Sequence, residues 1–201
     1  MEGELSSRHH LILQAAHRHI RYLEDELAAL DRYLIEAMHP YSQAWQLLQT
    51  IPGIDEISAA MILIELSDDL TRFGTAERLA SWAALCPGNH ESAGKRKSGK
   101  TRHGNPIVRY LLCEVANAAR RTKSVFRAKY DSLVLRRGHK KAIIALAHKL
   151  IRTTFFVLTR RQPYRDSGFD YEVASVAKNA PRWIRALKKF GYWPTTAQAT
   201  A

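Results

Sequence analysis

The chain has 201 residues, with 31 Lys and Arg against 19 Asp and Glu, giving a net charge of +12 and a pI near 10. Its length allows one domain with appendages, and 46% hydrophobic residues suffice for a core, which excludes general disorder. No stretch approaches the ~18 uncharged apolar residues of a membrane span, since Ala142 to Ala147 is flanked by Lys141 and Lys149. Met1 to Leu11 lacks the basic start and apolar run of a secretory signal, and Cys86 and Cys113 have neither a disulfide-framework nor a metal-site spacing. A soluble, cytoplasmic protein without a membrane partner is expected.

The first predicted element is a long helix. Leu13, Ile20, Leu27 and Leu34 recur every seven residues, and Ala16, Leu23, Leu30 and Ala37 form a second series three residues on. This a/d pattern predicts a coiled coil and a homo-oligomer through residues 13–37, with a helix lying on its own domain as the alternative. His39-Pro40 ends it, because proline disfavours helix at the preceding residue. Residues 1–40 are thus a coiled-coil unit, 41–164 a compact helical domain and 165–201 an aromatic and basic extension.

Within the domain, Ala44 to Gln49 and Glu56 to Leu66 read as helices around the turn Ile51-Pro52-Gly53-Ile54. Thr75 is an N-cap for Ala76 to Leu85, and Asn105-Pro106 opens Ile107 to Arg121. Between them, Pro87 to Pro106 is a glycine-rich loop of the kind that carries function when it interrupts a compact domain. Ser124 to Arg137 stops at Gly138, Lys140 to Arg161 stops at Gln162-Pro163, and Pro181 to Phe190 reads as a short basic helix. No run of alternating residues is long enough to argue for a sheet, so the fold class is all-α.

Charge is unevenly spread. Lys95 to Arg165 holds 20 Lys and Arg against two acids, Glu114 and Asp131, whereas the remainder is mildly acidic. Solvated faces normally interleave both signs, so the missing acids point to a polyanion against this half. Two sequences sharpen that reading. The turn Leu48-Gln49-Thr50-Ile51-Pro52-Gly53-Ile54-Asp55 resembles a helix-hairpin-helix element, in which glycine lets the backbone approach a phosphate and the next helix offers free N–H groups. The element usually has a second glycine where this chain has Asp55, so a purely structural αα turn is the competing reading. The loop is the second, with Lys95, Arg96, Lys97, Lys100 and Arg102, four glycines, and the serines Ser92 and Ser98. Lys95, Arg96 and Arg102 can neutralise charge growing on a phosphoryl group, and Arg suits bidentate phosphate contact.

From "QTIPGIDEISAAMILIEL" through "RFGTAERLASWAALCPGNHESAGKRKSGKTRHGNPIVRYLLCEVANAARR", about Leu47 to Tyr164, the chain resembles the C-terminal domain of bacterial insertion-sequence transposases of the family that includes the Piv-type DNA invertases. The resemblance implies that Ser92, in "ESAGK", is a nucleophile that attacks a DNA phosphodiester to give a phosphoserine linkage, with Ser98 in "KSGK" the runner-up. It implies double-stranded DNA as partner, contacted by Lys95, Arg96, Lys97, Lys100 and Arg102 of the loop, by Arg109 on the following helix and by Gly53 in the turn. In several members an RNA encoded by the element guides site choice, and the coiled coil pairs protomers. In the complete enzyme a ribonuclease-H-like domain with four acidic metal ligands precedes the coiled coil, and this chain starts at the coiled coil. A divalent metal is therefore expected only with that domain, and Glu65, Asp68 and Asp69 read as a polar helix terminus. Activity alone is then not expected, and the alternative function is a non-catalytic DNA-binding and dimerisation module that regulates transposition. An RNA-binding protein is a third reading, since a basic helical surface does not by itself distinguish RNA from DNA.

Overall fold

A computed structural model describes residues 6–88, 90–92, 95–98, 101 and 103–192. Among them the fold is all-α apart from one short hairpin. In chain order the elements are α1 (Ser7–Ala37), a 3-10 turn (His39–Tyr41), α2 (Ser42–Gln49), α3 (Glu56–Leu66), a second 3-10 turn (Thr71–Phe73) and α4 (Ala76–Trp82). Strands β1 (His90–Ser92) and β2 (Lys95–Ser98) follow, then α5 (Pro106–Ala119), α6 (Val125–Arg137), α7 (His139–Arg160) and α8 (Tyr171–Lys189).

Helix α7 is the axle of the domain. Its apolar residues recur on more than one face, and Ile143, Leu146, Ala147, Leu150, Ile151, Phe155 and Leu158 are all buried against α2, α4, α5 and α6. By length and composition α7 could also cross a membrane, which the reading of Ala142 to Ala147 did not anticipate; its burial in the core accounts for that apolarity. Leu48, Ile51, Leu79, Leu112 and Phe126 complete the core from the surrounding helices. At about 25 cal/mol per Å² of apolar surface, these side chains supply the main drive for the fold.

Helix α1 is different. None of its residues is buried, and only its C-terminal end docks, through half-buried Leu34 and through Met38 just beyond, against α3. The heptad residues Leu13, Ile20, Leu27 and Leu30 are 54–62% exposed. They form an uncovered apolar stripe.

Three features depart from the sequence reading by more than one or two residues at a helix end. Helix α4 ends at Trp82 rather than Leu85, because Ala84 takes a positive φ of 55°. Leu85 N–H then donates to Ala80 O and Ala84 N–H to Ser81 O, each at 3.0 Å, the paired bonds of a Schellman motif with alanine where glycine is usual. Helix α8 starts at Tyr171, not Pro181, with Asp170 accepting from Val173 N–H at 3.0 Å, and it runs on through Pro181. The glycine-rich loop contains the β1–β2 hairpin, too short and too polar to show an alternating pattern.

Candidate nucleic-acid interface

The hairpin is fixed at its root from both sides. Pro87 and Thr101 form an antiparallel bridge. Beyond it Gly104 lies against the end of α4, where a Cβ would run into Trp82 O and come within 2.8 Å of Ala84 N. Asn105 N–H donates to Trp82 O at 3.0 Å, satisfying a carbonyl at the helix end. The Asn105 side chain N-caps α5, accepting from Ile107 N–H at 2.9 Å and Val108 N–H at 3.1 Å, and its Nδ2 donates to Glu65 Oε2 at 2.8 Å. One residue thus ties the loop to α3, α4 and α5.

On that root, β1 and β2 pair antiparallel, with Ser92 opposite Lys95, Glu91 opposite Arg96 and His90 opposite Ser98. Cα atoms across such a ladder are about 4.5–5.5 Å apart. The fold therefore brings Ser92 and Lys95 together at the end of β1 and puts Ser98 at the far end of β2. Arg96 and Lys97 share β2 with Lys95, while Lys100 and Arg102 lie outside the described residues. Arg109 is on α5, one turn before Cys113. Burial, helped by Glu114 and opposed by Arg109, pushes the Cys113 thiol above its ordinary value. The thiolate is the reactive form of cysteine, so this shift lowers the reactivity of Cys113 below that of a free thiol.

The turn between α2 and α3 uses its special residues inward. Gly53 has φ of +91°, and a Cβ there would stand 2.6 Å from Ala119 N and 2.8 Å from Ala119 Cα on α5. The glycine that the sequence offered for phosphate approach is thus required for helix packing. Asp55 Oδ1 accepts from Ser58 N–H at 2.8 Å, so a carboxylate already caps the N-terminus of α3. Both observations fit the structural αα turn.

The three acids that follow each have a partner. Glu65 holds Asn105, Asp68 is paired with Arg161 at 3.0 Å, and Asp69 accepts from Thr71 N–H at 2.9 Å, a bond that lowers the Asp69 pKa. Among the described residues no group of three or more His, Cys, Asp or Glu is placed to hold a metal ion.

Sequence reasoning missed a second basic cluster. Lys129 of α6 and Lys140 and Lys141 of α7 join Arg109 around a groove beside Pro87 and Thr101. They come from separate helices, so no sequence spacing marks them as neighbours.

Comparison with known proteins bears on this region. The chain is 33% identical over 149 residues to an uncharacterised 43.6 kDa protein of insertion element IS110 from Streptomyces coelicolor, covering 73% of this chain and 34% of that protein. It is 29% identical over 139 residues to the transposase for insertion sequence element IS1111A of Coxiella burnetii, covering 65% of this chain and 37% of the relative. It is 27% identical over 152 residues to the pilin gene-inverting protein of Moraxella bovis, covering 72% and 47%. The chain thus spans less than half the length of these curated relatives. Residues 45–131, from α2 through the serine hairpin to the start of α6, match the transposase domain of the IS116/IS110/IS902 family.

Proposed function

We propose that this chain is the DNA-binding, serine-bearing part of a transposase or site-specific recombinase, with double-stranded DNA as its substrate in the cytoplasm. The observation that carries the reading is the position of Ser92, opposite Lys95 at the start of the basic block and within the matched segment. Deprotonated Ser92 Oγ attacks the phosphorus of a DNA phosphodiester. The Oγ–P bond forms, one P–O ester bond breaks, and the departing DNA oxygen takes up a proton in place of the one Ser92 lost, leaving as a hydroxyl. Lys95, Arg96 and the other loop cations offset the negative charge of the transition state, where a preorganised cation is most effective. On this reading a divalent metal would be held by acidic residues of a ribonuclease-H-like domain in the complete enzyme, where it would activate the attacking or departing oxygen. An element-encoded RNA is a further partner on this reading.

The test uses labelled transposon-end duplex, this chain and the acidic domain of a full-length relative, with the reaction stopped in detergent. A covalent protein–DNA adduct is expected, absent in Ser92→Ala. An adduct that survives Ser92→Ala and disappears in Ser98→Ala moves the nucleophile to Ser98. No adduct in any mixture overturns the catalytic reading.

The exposed stripe of α1 favours a second reading, a non-catalytic module that occupies transposon ends and forms mixed oligomers with the full-length enzyme. Mixed oligomers with DNA binding unchanged by Ser92→Ala support it.

A further inference from the structure

The groove beside the hairpin has a volume of about 630 Å³ and two chemically distinct parts. Its rim is cationic, formed by Arg109 from α5, Lys129 from α6, and Lys140 and Lys141 from the first turn of α7. Its less exposed lining, the floor, is buried Leu85 with half-buried Ile144 and Ala145, beside half-buried His148. Among the described residues no Asp or Glu lines it. The described ion pairs, Arg127 with Asp131, Arg152 with Glu77 and Arg161 with Asp68, leave all four rim cations out. Pro87 and Thr101, bridged at the root of the Ser92 hairpin, form part of the same wall.

A duplex matches only half of this surface. It presents phosphates to a cationic rim, but its base faces are stacked inside and offer nothing to an apolar floor. An unstacked strand offers both: its phosphates reach the rim while a base or sugar rests on the floor, the combination that single-strand sites and base-extruding enzymes use. The volume lies in the range that encloses small organic groups, which suits one or two nucleotides rather than a double helix.

We propose that this groove holds a short unpaired stretch of DNA, with phosphates on Arg109, Lys129, Lys140 and Lys141 and a base or sugar against Leu85 and Ile144. DNA is the occupant because Pro87 and Thr101 of the groove wall are the root of the hairpin that carries Ser92 at the end of β1. This part of the proposal rests on the reading of Ser92 as a DNA nucleophile. The bound strand is the one displaced next to the reacting phosphodiester, and the groove keeps it from re-pairing.

The test is fluorescence anisotropy of the whole chain with a labelled oligodeoxynucleotide, the same sequence as a blunt duplex, and the same sequence as RNA. Lys140 and Lys141 are exposed, so Lys140→Gln with Lys141→Gln leaves the fold intact, which circular dichroism checks. Losing two phosphate contacts, at a salt slope of about 0.7 each, weakens single-stranded DNA binding about 25-fold at about 0.1 M salt and lowers that slope by about 1.4. Duplex binding stays nearly unchanged. Ile144→Asn, on the floor, gives the same selective loss with no change of charge, and circular dichroism checks that the fold survives the loss of an apolar side chain packed against the core. Equal losses for duplex and single strand overturn the proposal, as does no loss, or a loss confined to RNA. The two readings fail separately. A selective single-strand loss with no adduct at Ser92 upholds the groove and sinks the nucleophile, whereas an adduct at Ser92 with single-strand binding unaltered in the variants does the reverse.

Discussion

Asn105 and Glu65, 40 positions apart, are joined by a 2.8 Å hydrogen bond from Asn105 Nδ2 to Glu65 Oε2, while the other side-chain atom of Asn105 caps α5. The two roles can be separated. Aspartate caps a helix about as well as asparagine, so capping alone predicts no loss in Asn105→Asp. It would, however, replace the donor facing Glu65 with a second carboxylate. We expect Asn105→Asp to cost about 1–2 kcal/mol, the scale of a part-buried hydrogen bond to a charged group, or roughly 2–8 °C in Tm for a chain of this size. Adding Glu65→Gln relieves the repulsion and recovers most of the loss. Thermal unfolding of the two single variants and the double variant checks this, and an unaltered Tm in Asn105→Asp shows that the bond contributes nothing.

Gly53 and Gly138 give a matched pair for measuring helix contact. Both have positive φ, +91° and +76°, but a Cβ at Gly53 would be 2.6 Å from Ala119 N whereas nothing lies within 4 Å at Gly138. Gly138, at φ 76° and ψ 164°, is in an essentially glycine-only conformation, so Gly138→Ala carries only backbone strain, about 1–3 kcal/mol. Gly53→Ala carries backbone strain plus overpacking, about 2–5 kcal/mol in all. Urea denaturation of both distinguishes them. Equal losses would mean that the turn does not depend on its approach to α5.

What could be read from the sequence was whatever is decided locally. Thr75 and Asn105 act as N-caps as expected, because capping needs only the next three residues, and α3 has the expected limits, Glu56–Leu66. The end of α4 was not legible: an alanine at positive φ gives no signal, and the helix end is completed by Gly104 and Asn105, about 20 residues on. The packing role of Gly53 was hidden for the same reason, since Ala119, which demands a glycine there, is distant in sequence. The start of α8 was hidden by taking Pro181 as a first-turn residue, when Asp170 caps the helix well before it. At the site, the serine loop and its cations stood out as a run, but Lys129, Lys140 and Lys141 meet Arg109 only because α5, α6 and α7 pack together.

The stripe on α1 predicts association. Leu13, Ile20, Leu27 and Leu30 repeat at coiled-coil spacing and are more than half exposed among the described residues. Ile20→Asp with Leu27→Asp puts two charges on this seam without disturbing any buried residue, since α1 has none. Light scattering after gel filtration is expected to show a multiple of the 22.9 kDa chain mass for the unsubstituted protein and the single-chain mass for the variant. An unchanged mass would place association elsewhere or nowhere.

His148 makes the stability of the domain depend on pH in one direction. Burial first, then the positive charges of Arg152 and Lys129, hold its pKa below the ordinary value of 6.5, with Glu77 opposing. The folded state thus keeps the imidazole neutral at a pH where the unfolded chain already binds a proton. Above pH 6.5 both states are neutral and the contribution to stability is fully present. As pH falls below that value the unfolded state gains its proton first, and stability drops by at most about 1.4 kcal/mol per pH unit until the folded state also titrates. His148→Gln removes this component while the other eight of the nine histidines remain. Urea unfolding at about pH 7.5 and about pH 5.5 should therefore show a smaller stability loss in the variant than in the unsubstituted chain. The same loss in both would assign the acid sensitivity to another histidine, and an NMR titration of His148 with a midpoint at or above 6.5 would remove its cause.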